Sequence, residues 1–196
     1  DLNKLIIFEG IDGTGKTTLA KKLKEKFPYS NYFKPSKQDF ADKDLDIACR
    51  YNWSFLFDFL EQTEQPALTI LDRSPISQYV YSKVFREESI NNQFKSHREY
   101  EDLFENYIKQ INEKFKSLIV YCTREHLNIN DPINPHITSD SSKLLHEKYE
   151  YFFNTFMNNV NFLELKFEDG IEVNYQTLVN RILYKESTLT LSGRIR

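Results

Sequence analysis

Residues 10–17 read GIDGTGKT and follow directly on an apolar run, KLIIFE, at residues 4–9. The run has the length and composition of a buried parallel strand. After Lys16, apolar residues recur at helical spacing until Pro28 ends the pattern. A strand, a glycine-rich loop and a helix in this order predict a phosphate-binding loop at the start of an α/β fold.

The chemistry of such a loop explains its composition. Backbone N–H groups can point at phosphate oxygens only where few side chains intervene, and the following helix adds its positive N-terminal end. Lys16 is expected to reach the β- and γ-phosphates of ATP, and Thr17 to offer a hydroxyl to Mg²⁺. The chain has only five glycines, and three of them lie in this loop, so a chance match is rare. The residues expected to bind ATP are Gly10, Asp12, Gly13, Thr14, Gly15, Lys16, Thr17 and Thr18.

The rest of the chain alternates strand and helix patterns. Further strands are predicted at residues 29–33, 67–71, 118–122 and 162–167, and further helices at residues 44–61, 99–115, 145–156 and 175–183. This alternation predicts a three-layer P-loop NTPase fold, a five-stranded parallel sheet with helices on both faces.

Length and composition predict one domain. The chain has 196 residues, 40% of them hydrophobic, and no composition break divides it. We expect a single kinase-like domain over residues 1–186 and a polar tail over residues 187–196. Residues 125–142 lack periodicity and contain prolines, which predicts a lid at about residues 124–142.

Bulk charge and cysteine usage narrow the function classes. The net charge of −3 gives no overall attraction to nucleic acid or to an anionic membrane. Cys49 and Cys122 stand far apart, without a second ligand at metal spacing, so neither a disulfide framework nor a zinc site is expected. No signal peptide or apolar stretch of about 18 residues is visible, so we expect a cytoplasmic protein.

Asp72 and Arg73 come at the end of the predicted third strand. Ligands of open α/β sheets bind at the carboxyl ends of the strands, which is also the edge that carries the phosphate loop. Asp72 is therefore expected near the Mg²⁺ ion and Arg73 on a phosphate. The alternative is an ordinary surface ion pair.

Two stretches carry a family resemblance. Residues 8–18, FEGIDGTGKTT, resemble the P-loop of thymidylate kinases, which often reads FEGIDGxGKTT. Residues 72–81, DRSPISQYVY, are similar to the DRYxxSxxAY stretch of the same family, with Ser74 in place of the tyrosine. The resemblance implies transfer of phosphate from ATP, with Mg²⁺, to a deoxynucleoside monophosphate, most simply dTMP or a close pyrimidine analogue. It also implies small-molecule nucleotide partners and a homodimer.

The resemblance also implies an acceptor site. Arg50 falls near the arginine that binds the acceptor phosphate in thymidylate kinases. Tyr81 matches the tyrosine beneath the sugar, where a ribose 2′-hydroxyl would collide, with a core tyrosine as the alternative. Residues 147–151 are weakly similar to the helix after the lid. Trp53 and Phe57 share a helix face that could stack on the base, with core packing as the alternative. Together with residues argued from their own chemistry, the expected acceptor set is Lys34, Arg50, Trp53, Phe57, Arg73, Ser77, Gln78, Tyr81 and Tyr151.

Deoxynucleoside kinases offer a competing resemblance. They carry an E-R-S motif after the third strand, to which Asp72-Arg73-Ser74 is similar, and an aromatic pattern, W-x-F-x-F-Q, similar to residues 53–58, WSFLFD. Both families have a Glu-Pro near the end of the second strand, where this chain has Lys34-Pro35. A lysine cannot act as the carboxylate base that a nucleoside acceptor needs, but it can hold an acceptor phosphate. Lys34 therefore favours a monophosphate acceptor, although Asp39 could be a displaced base and Lys34 a solvated lysine.

The lid differs from that of typical thymidylate kinases because residues 125–150 contain no arginine. Charge on the transferred phosphoryl group would then be met by Lys16, Mg²⁺, Arg73 and Arg124 at the edge of the lid, unless Arg124 makes only an exposed ion pair. Two further classes stay open: a P-loop kinase that modifies nucleotides within DNA, and a nucleotide-binding module without activity. Intact Lys16, Thr17 and Asp72 argue against the second.

Overall fold

The structure is a computed structural model, and it describes residues 4–34, 58, 68–125, 138–157 and 161–184. The strands in these ranges are β1 (Lys4–Glu9), β2 (Asn31–Phe33), β3 (Leu68–Asp72), β4 (Lys116–Thr123) and β5 (Asn161–Lys166). The α-helices are α1 (Lys16–Lys26), α2 (Pro75–Phe85), α3 (Glu87–Gln93), α4 (His97–Lys114), α5 (Ser139–Phe156) and α6 (Ile171–Leu183), and a 3₁₀ turn spans Phe167–Asp169.

The five strands form one parallel sheet in the order β2-β3-β1-β4-β5. β1 lies at its centre, where Phe8 is opposite Asp72 of β3 and Glu9 is opposite Tyr121 of β4. The carboxyl ends of three neighbouring strands therefore meet at one edge, and the phosphate loop leaves β1 at that edge. The predicted five-stranded parallel sheet is confirmed.

Alternate residues of β1 pack into two cores on opposite faces of the sheet. Leu5 and Ile7 belong to the core covered by α2, α3, α4 and α5, whereas Ile6 and Phe8 belong to the core covered by α1 and α6. All four side chains are nearly or fully buried. This two-sided burial is why the strand reads as a continuous apolar run, and it confirms the helices predicted on both faces.

Two helices were not predicted, α2 and α3, between β3 and α4. α2 begins at Pro75 because the Ser74 hydroxyl caps it, accepting a hydrogen bond from the N–H of Ile76. Its buried face contains Ser77 and Gln78 beside apolar residues, which hides the helical period from a hydropathy pattern.

The lid boundary also differs. α5 begins at Ser139 behind a capping box formed by Thr138 and Ser141, so residues 139–142, which were assigned to the lid, are helical. Residues 126–137 lie outside the described ranges, as does the predicted helix at residues 44–61 apart from Asp58. In the part of the chain that the structure describes, no helix is both long and apolar enough to cross a membrane.

Candidate phosphate and metal site

The loop between β1 and α1 curls around one backbone carbonyl. The Ile11 oxygen accepts hydrogen bonds from Thr14 Oγ1 at 2.8 Å and from Lys16 Nζ at 2.7 Å. Lys16 is nearly fully buried in the loop, and this burial, with the nearby charge of Arg73, lowers the pKa of its ammonium to about 8. The predicted loop lysine thus lies inside the loop, with a backbone carbonyl as its hydrogen-bond partner. Thr18 lies exposed in the first turn of α1.

The lowered pKa of Lys16 leads to a prediction about proton uptake. A pKa of about 8 leaves Lys16 largely neutral at about pH 9 before ATP binds, and bound phosphate anions would favour the charged form. ATP binding at about pH 9 is therefore expected to take up close to one proton, and affinity should fall as the pH rises through 8. Isothermal titration calorimetry in two buffers of different ionisation enthalpy measures the uptake. Lys16→Met is the control and should show none; equal uptake by wild type and Lys16→Met would contradict the prediction.

Thr17 and Asp72 form the second part of the site, a corner between the loop and the end of β3. Thr17 Oγ1 donates a 2.6 Å hydrogen bond to Asp72 Oδ2. Asp72 is 1% exposed, and its other oxygen, Oδ1, is buried with no hydrogen-bond partner among the described residues. A hydroxyl and a carboxylate with an unpaired buried oxygen form the oxygen donor set that Mg²⁺ takes in nucleotide sites. We call this pair and its neighbours Tyr32 and Lys34 the metal corner.

Tyr32 and Lys34, at the end of β2, complete the metal corner. The Tyr32 hydroxyl donates to Asp72 Oδ2 at 3.1 Å, and burial raises the pKa of this phenol, so it remains a donor. Lys34 Nζ lies 3.1 Å from Thr17 Oγ1 and 3.8 Å from Asp72 Oδ2. Lys34 was expected at the acceptor phosphate, and here its ammonium lies beside the two residues expected to hold the metal. Nothing in the sequence pattern singled out Tyr32.

Arg73, directly after β3, is the centre of a third group of contacting side chains. Its guanidinium pairs with Asp12, donates to Ser77 Oγ at 3.1 Å and lies 5.1 Å from the centre of the Tyr81 ring. Its φ of 76° is in the left-handed region, which costs a non-glycine residue about 1–3 kcal/mol and is typical of functional sites. The structure therefore brings together four residues from the predicted set. Asp12, assigned to ATP binding, contacts Arg73.

Glu9 is the centre of a buried polar network that sequence analysis missed. This fully buried carboxylate accepts hydrogen bonds from the backbone N–H and the hydroxyl of both Ser74 and Ser77, and from the Tyr149 hydroxyl at 3.0 Å. Burial raises the pKa of Glu9, while the bonds from Ser74 and Ser77 oppose that shift. The network ties the start of the loop to α2 and α5. Its sequence signals are a charged residue at the end of an apolar strand and the inclusion of Glu9 in the matched stretch at residues 8–18, which assigned it no role.

The residue of α5 that reaches this network is Tyr149, whereas the residue of α5 expected at the acceptor site was Tyr151. Tyr151 is 44% exposed, and its hydroxyl lies 3.4 Å from Glu101 Oε1 on α4. Helical geometry explains the difference, because residues two apart point to different sides of a helix. The structure therefore does not bring Tyr151 to the other site residues.

Arg124 lies against the outer side of the loop. Its Nη1 donates to the Gly13 carbonyl at 3.0 Å, and its guanidinium lies 4.1 Å from the centre of the Phe167 ring. A cation stacked on an aromatic ring is a stable arrangement that also holds the guanidinium plane in position. Arg124 is thus close to the phosphate loop, as a catalytic arginine must be, and Phe167 is a neighbour that the sequence did not indicate.

Gln78 is the remaining described residue of the acceptor set. It is 3% exposed, and neither Oε1 nor Nε2 has a hydrogen-bond partner among the described residues. A buried unpaired amide is costly, which points to a missing partner. Arg50, Trp53 and Phe57 lie outside the described ranges.

Comparisons with known proteins agree with this geometry at the level of the fold. No protein-family model matches the chain. No curated protein matches its sequence. Solved structures do match it over most of its length. A thymidylate kinase from Ehrlichia chaffeensis superposes with a TM-score of 0.61 at 13% identity, covering 92% of this chain and 99% of that one.

Two other solved structures are similar to the same extent. A deoxyadenosine kinase from M. mycoides with bound dATP gives a TM-score of 0.60 at 18% identity, covering 91% of this chain and 98% of that one. The YorR protein from Bacillus subtilis, in complex with phosphorylated GDP, gives a TM-score of 0.64 at 19% identity, covering 92% of this chain and 96% of that one. The predicted resemblance, to thymidylate kinases and in part to deoxynucleoside kinases, is confirmed for the fold.

Proposed function

We propose that this protein transfers the γ-phosphoryl group of ATP to a deoxynucleoside monophosphate, with dTMP as the first candidate. The observation that carries the proposal is the 2.6 Å contact between Thr17 and Asp72. It joins the phosphate loop to the end of β3. The next residue, Arg73, is the one that we propose binds the acceptor phosphate. Donor and acceptor phosphates would therefore meet at one edge of the sheet.

On the donor side, Lys16 would hold the β- and γ-phosphates, and Thr17 and Asp72 would hold Mg²⁺. The ion, when bound, offsets charge on the phosphate oxygens. Arg124, fixed against Gly13 and Phe167, adds a positive charge near the loop. Catalysis would rest on positioning and electrostatic stabilisation, because phosphoryl transfer requires little proton chemistry from the protein.

On the acceptor side, Arg73 would bind the acceptor phosphate, since Asp12 and Ser77 hold its guanidinium in place. Tyr81 would lie beneath the sugar and disfavour ribose by steric collision. The unpaired amide of Gln78 can both donate to and accept from the edge of a base, which is how we propose that it contributes to base selection. Arg50, Trp53 and Phe57 would complete this side.

A deoxynucleoside kinase is the second candidate, favoured by the Asp72-Arg73-Ser74 sequence and by the likeness to a deoxyadenosine kinase. Such an enzyme needs a carboxylate base near the 5′-hydroxyl. Among the described carboxylates of the site, Glu9 is fully buried, Asp12 pairs with Arg73 and Asp72 belongs to the metal corner. This occupancy favours a monophosphate acceptor, which is already ionised. Asp39, the other candidate base, lies outside the described ranges.

An acceptor panel tests the proposal. With ATP and saturating Mg²⁺, the enzyme is expected to phosphorylate dTMP in preference to dCMP, thymidine, deoxycytidine and a short DNA duplex. We propose that Lys34, which lies half-exposed at the metal corner, turns to the acceptor phosphate when dTMP binds. Losing such a charge-assisted hydrogen bond costs about 1.5–3 kcal/mol, so Lys34→Ala should raise KM for dTMP by about 10- to 150-fold, with little effect on a nucleoside. Lys21→Ala, which removes an exposed lysine from α1, is the matched control and should change neither the KM for dTMP nor the KM for a nucleoside.

Chromatography identifies the products. Faster turnover of thymidine than of dTMP would reject the monophosphate proposal in favour of a nucleoside kinase. Phosphorylation of the duplex alone would point instead to a kinase that acts on DNA.

A further inference from the structure

We propose that Lys34 is a built-in cation of the metal corner, which competes with a divalent metal ion for the place between Thr17 and Asp72. The inference rests on the proposed function, because it assumes that this corner binds Mg²⁺ with a nucleotide. It goes beyond that function because it makes the Lys34 side chain a determinant of how tightly the corner binds a metal ion.

The position of the ammonium carries the inference. Lys34 Nζ lies 3.1 Å from Thr17 Oγ1 and 3.8 Å from Asp72 Oδ2, the two side-chain oxygens that a metal would use. Those oxygens are themselves 2.6 Å apart. An ammonium and a divalent cation cannot both occupy this space, so Lys34 must leave before a metal ion can bind there.

The charges at the corner explain why a cation lies there. Asp72 is almost completely buried, and a buried carboxylate is stable only with hydrogen bonds and a positive partner. The other described cations of the site have other partners: Lys16 donates to the Ile11 carbonyl, Arg73 pairs with Asp12 and Arg124 donates to the Gly13 carbonyl. Lys34 therefore supplies positive charge to Asp72.

The side chain is also able to move away. Lys34 stands at the end of β2 with 51% of its side chain exposed, so it can swing into solvent or toward another anion without unfolding anything. An acceptor phosphate is such an anion. Metal binding and acceptor binding would then be linked, because vacating the corner is what frees the ammonium.

Direct metal binding tests this without any acceptor. Mn²⁺ is titrated into the protein saturated with a non-hydrolysable ATP analogue, and bound Mn²⁺ is measured by electron paramagnetic resonance. Removing the ammonium that the ion has to displace should strengthen Mn²⁺ binding, so Lys34→Met is expected to lower the Kd for Mn²⁺ by about tenfold or more. Lys34→Arg keeps the positive charge, so its Kd for Mn²⁺ should stay close to that of the wild type. Lys21→Met, on the exposed face of α1, is the matched control and should stay within twofold.

A Kd for Lys34→Met within twofold of wild type, or a weaker one, would overturn the inference while leaving the proposed kinase activity intact. Failure of the wild-type protein to bind the ATP analogue would instead overturn the proposed function, and this inference with it.

Discussion

Replacing Lys16 with alanine is expected to lower kcat for phosphoryl transfer by about 10²- to 10³-fold. Charged or dipolar groups aimed at developing transition-state charge are worth about 3–4 kcal/mol, and the Lys16 ammonium lies inside the loop where phosphate would bind. The fold should survive. Burial lowers the pKa of Lys16, which means that the folded state disfavours its charged form and loses little stability when the charge is removed.

Steady-state kinetics with ATP and dTMP give the loss, and thermal unfolding verifies that the variant is folded. Lys21→Ala provides the comparison, since it removes a lysine from the exposed side of the same helix and should leave kcat unchanged. Activity of folded Lys16→Ala within tenfold of wild type would remove this lysine from the mechanism.

Gly10→Ala is expected to destabilise the protein by about 3–5 kcal/mol, the sum of backbone strain and overpacking. Gly10 has a φ of 136°, a conformation that residues with a Cβ rarely adopt. A Cβ added there would lie 2.2 Å from the carbonyl oxygen of Cys122. That oxygen belongs to the backbone of β4, the neighbouring strand in the sheet, so it cannot move aside without disturbing the sheet.

Gly170→Ala is the matched control. Gly170 has a φ of 90°, but a Cβ added there meets no atom within 4 Å, so only the strain contribution of about 1–2 kcal/mol applies. Urea unfolding of the two variants measures the difference. Equal losses of stability would show that the contact with Cys122 relaxes at little cost.

The amino-acid sequence by itself determined the layered fold and the phosphate loop. Both depend on short-range patterns: apolar runs long enough for buried strands, helical spacing after Lys16, and glycines concentrated in residues 10–15. The sequence also placed Asp72 and Arg73 at the correct edge, because parallel strands bring their carboxyl ends together. It missed α2, whose buried face is partly polar, and it extended the lid into the first turn of α5.

Only the tertiary structure decided which side chains meet. The Glu9 network joins Glu9 to Ser74 and Tyr149, which lie 65 and 140 positions away, and the metal corner joins Tyr32 to Asp72 across 40 positions. No local pattern encodes such distances, because they follow from strand order and from the rotation of each helix about its axis. Tyr149 and Tyr151 are two residues apart on α5 and therefore point to different sides of the helix, so Tyr149 contacts Glu9 and Tyr151 does not reach the site. Likewise, the end of β2 directs Lys34 toward Thr17 because β2 pairs with β3, which ends in Asp72.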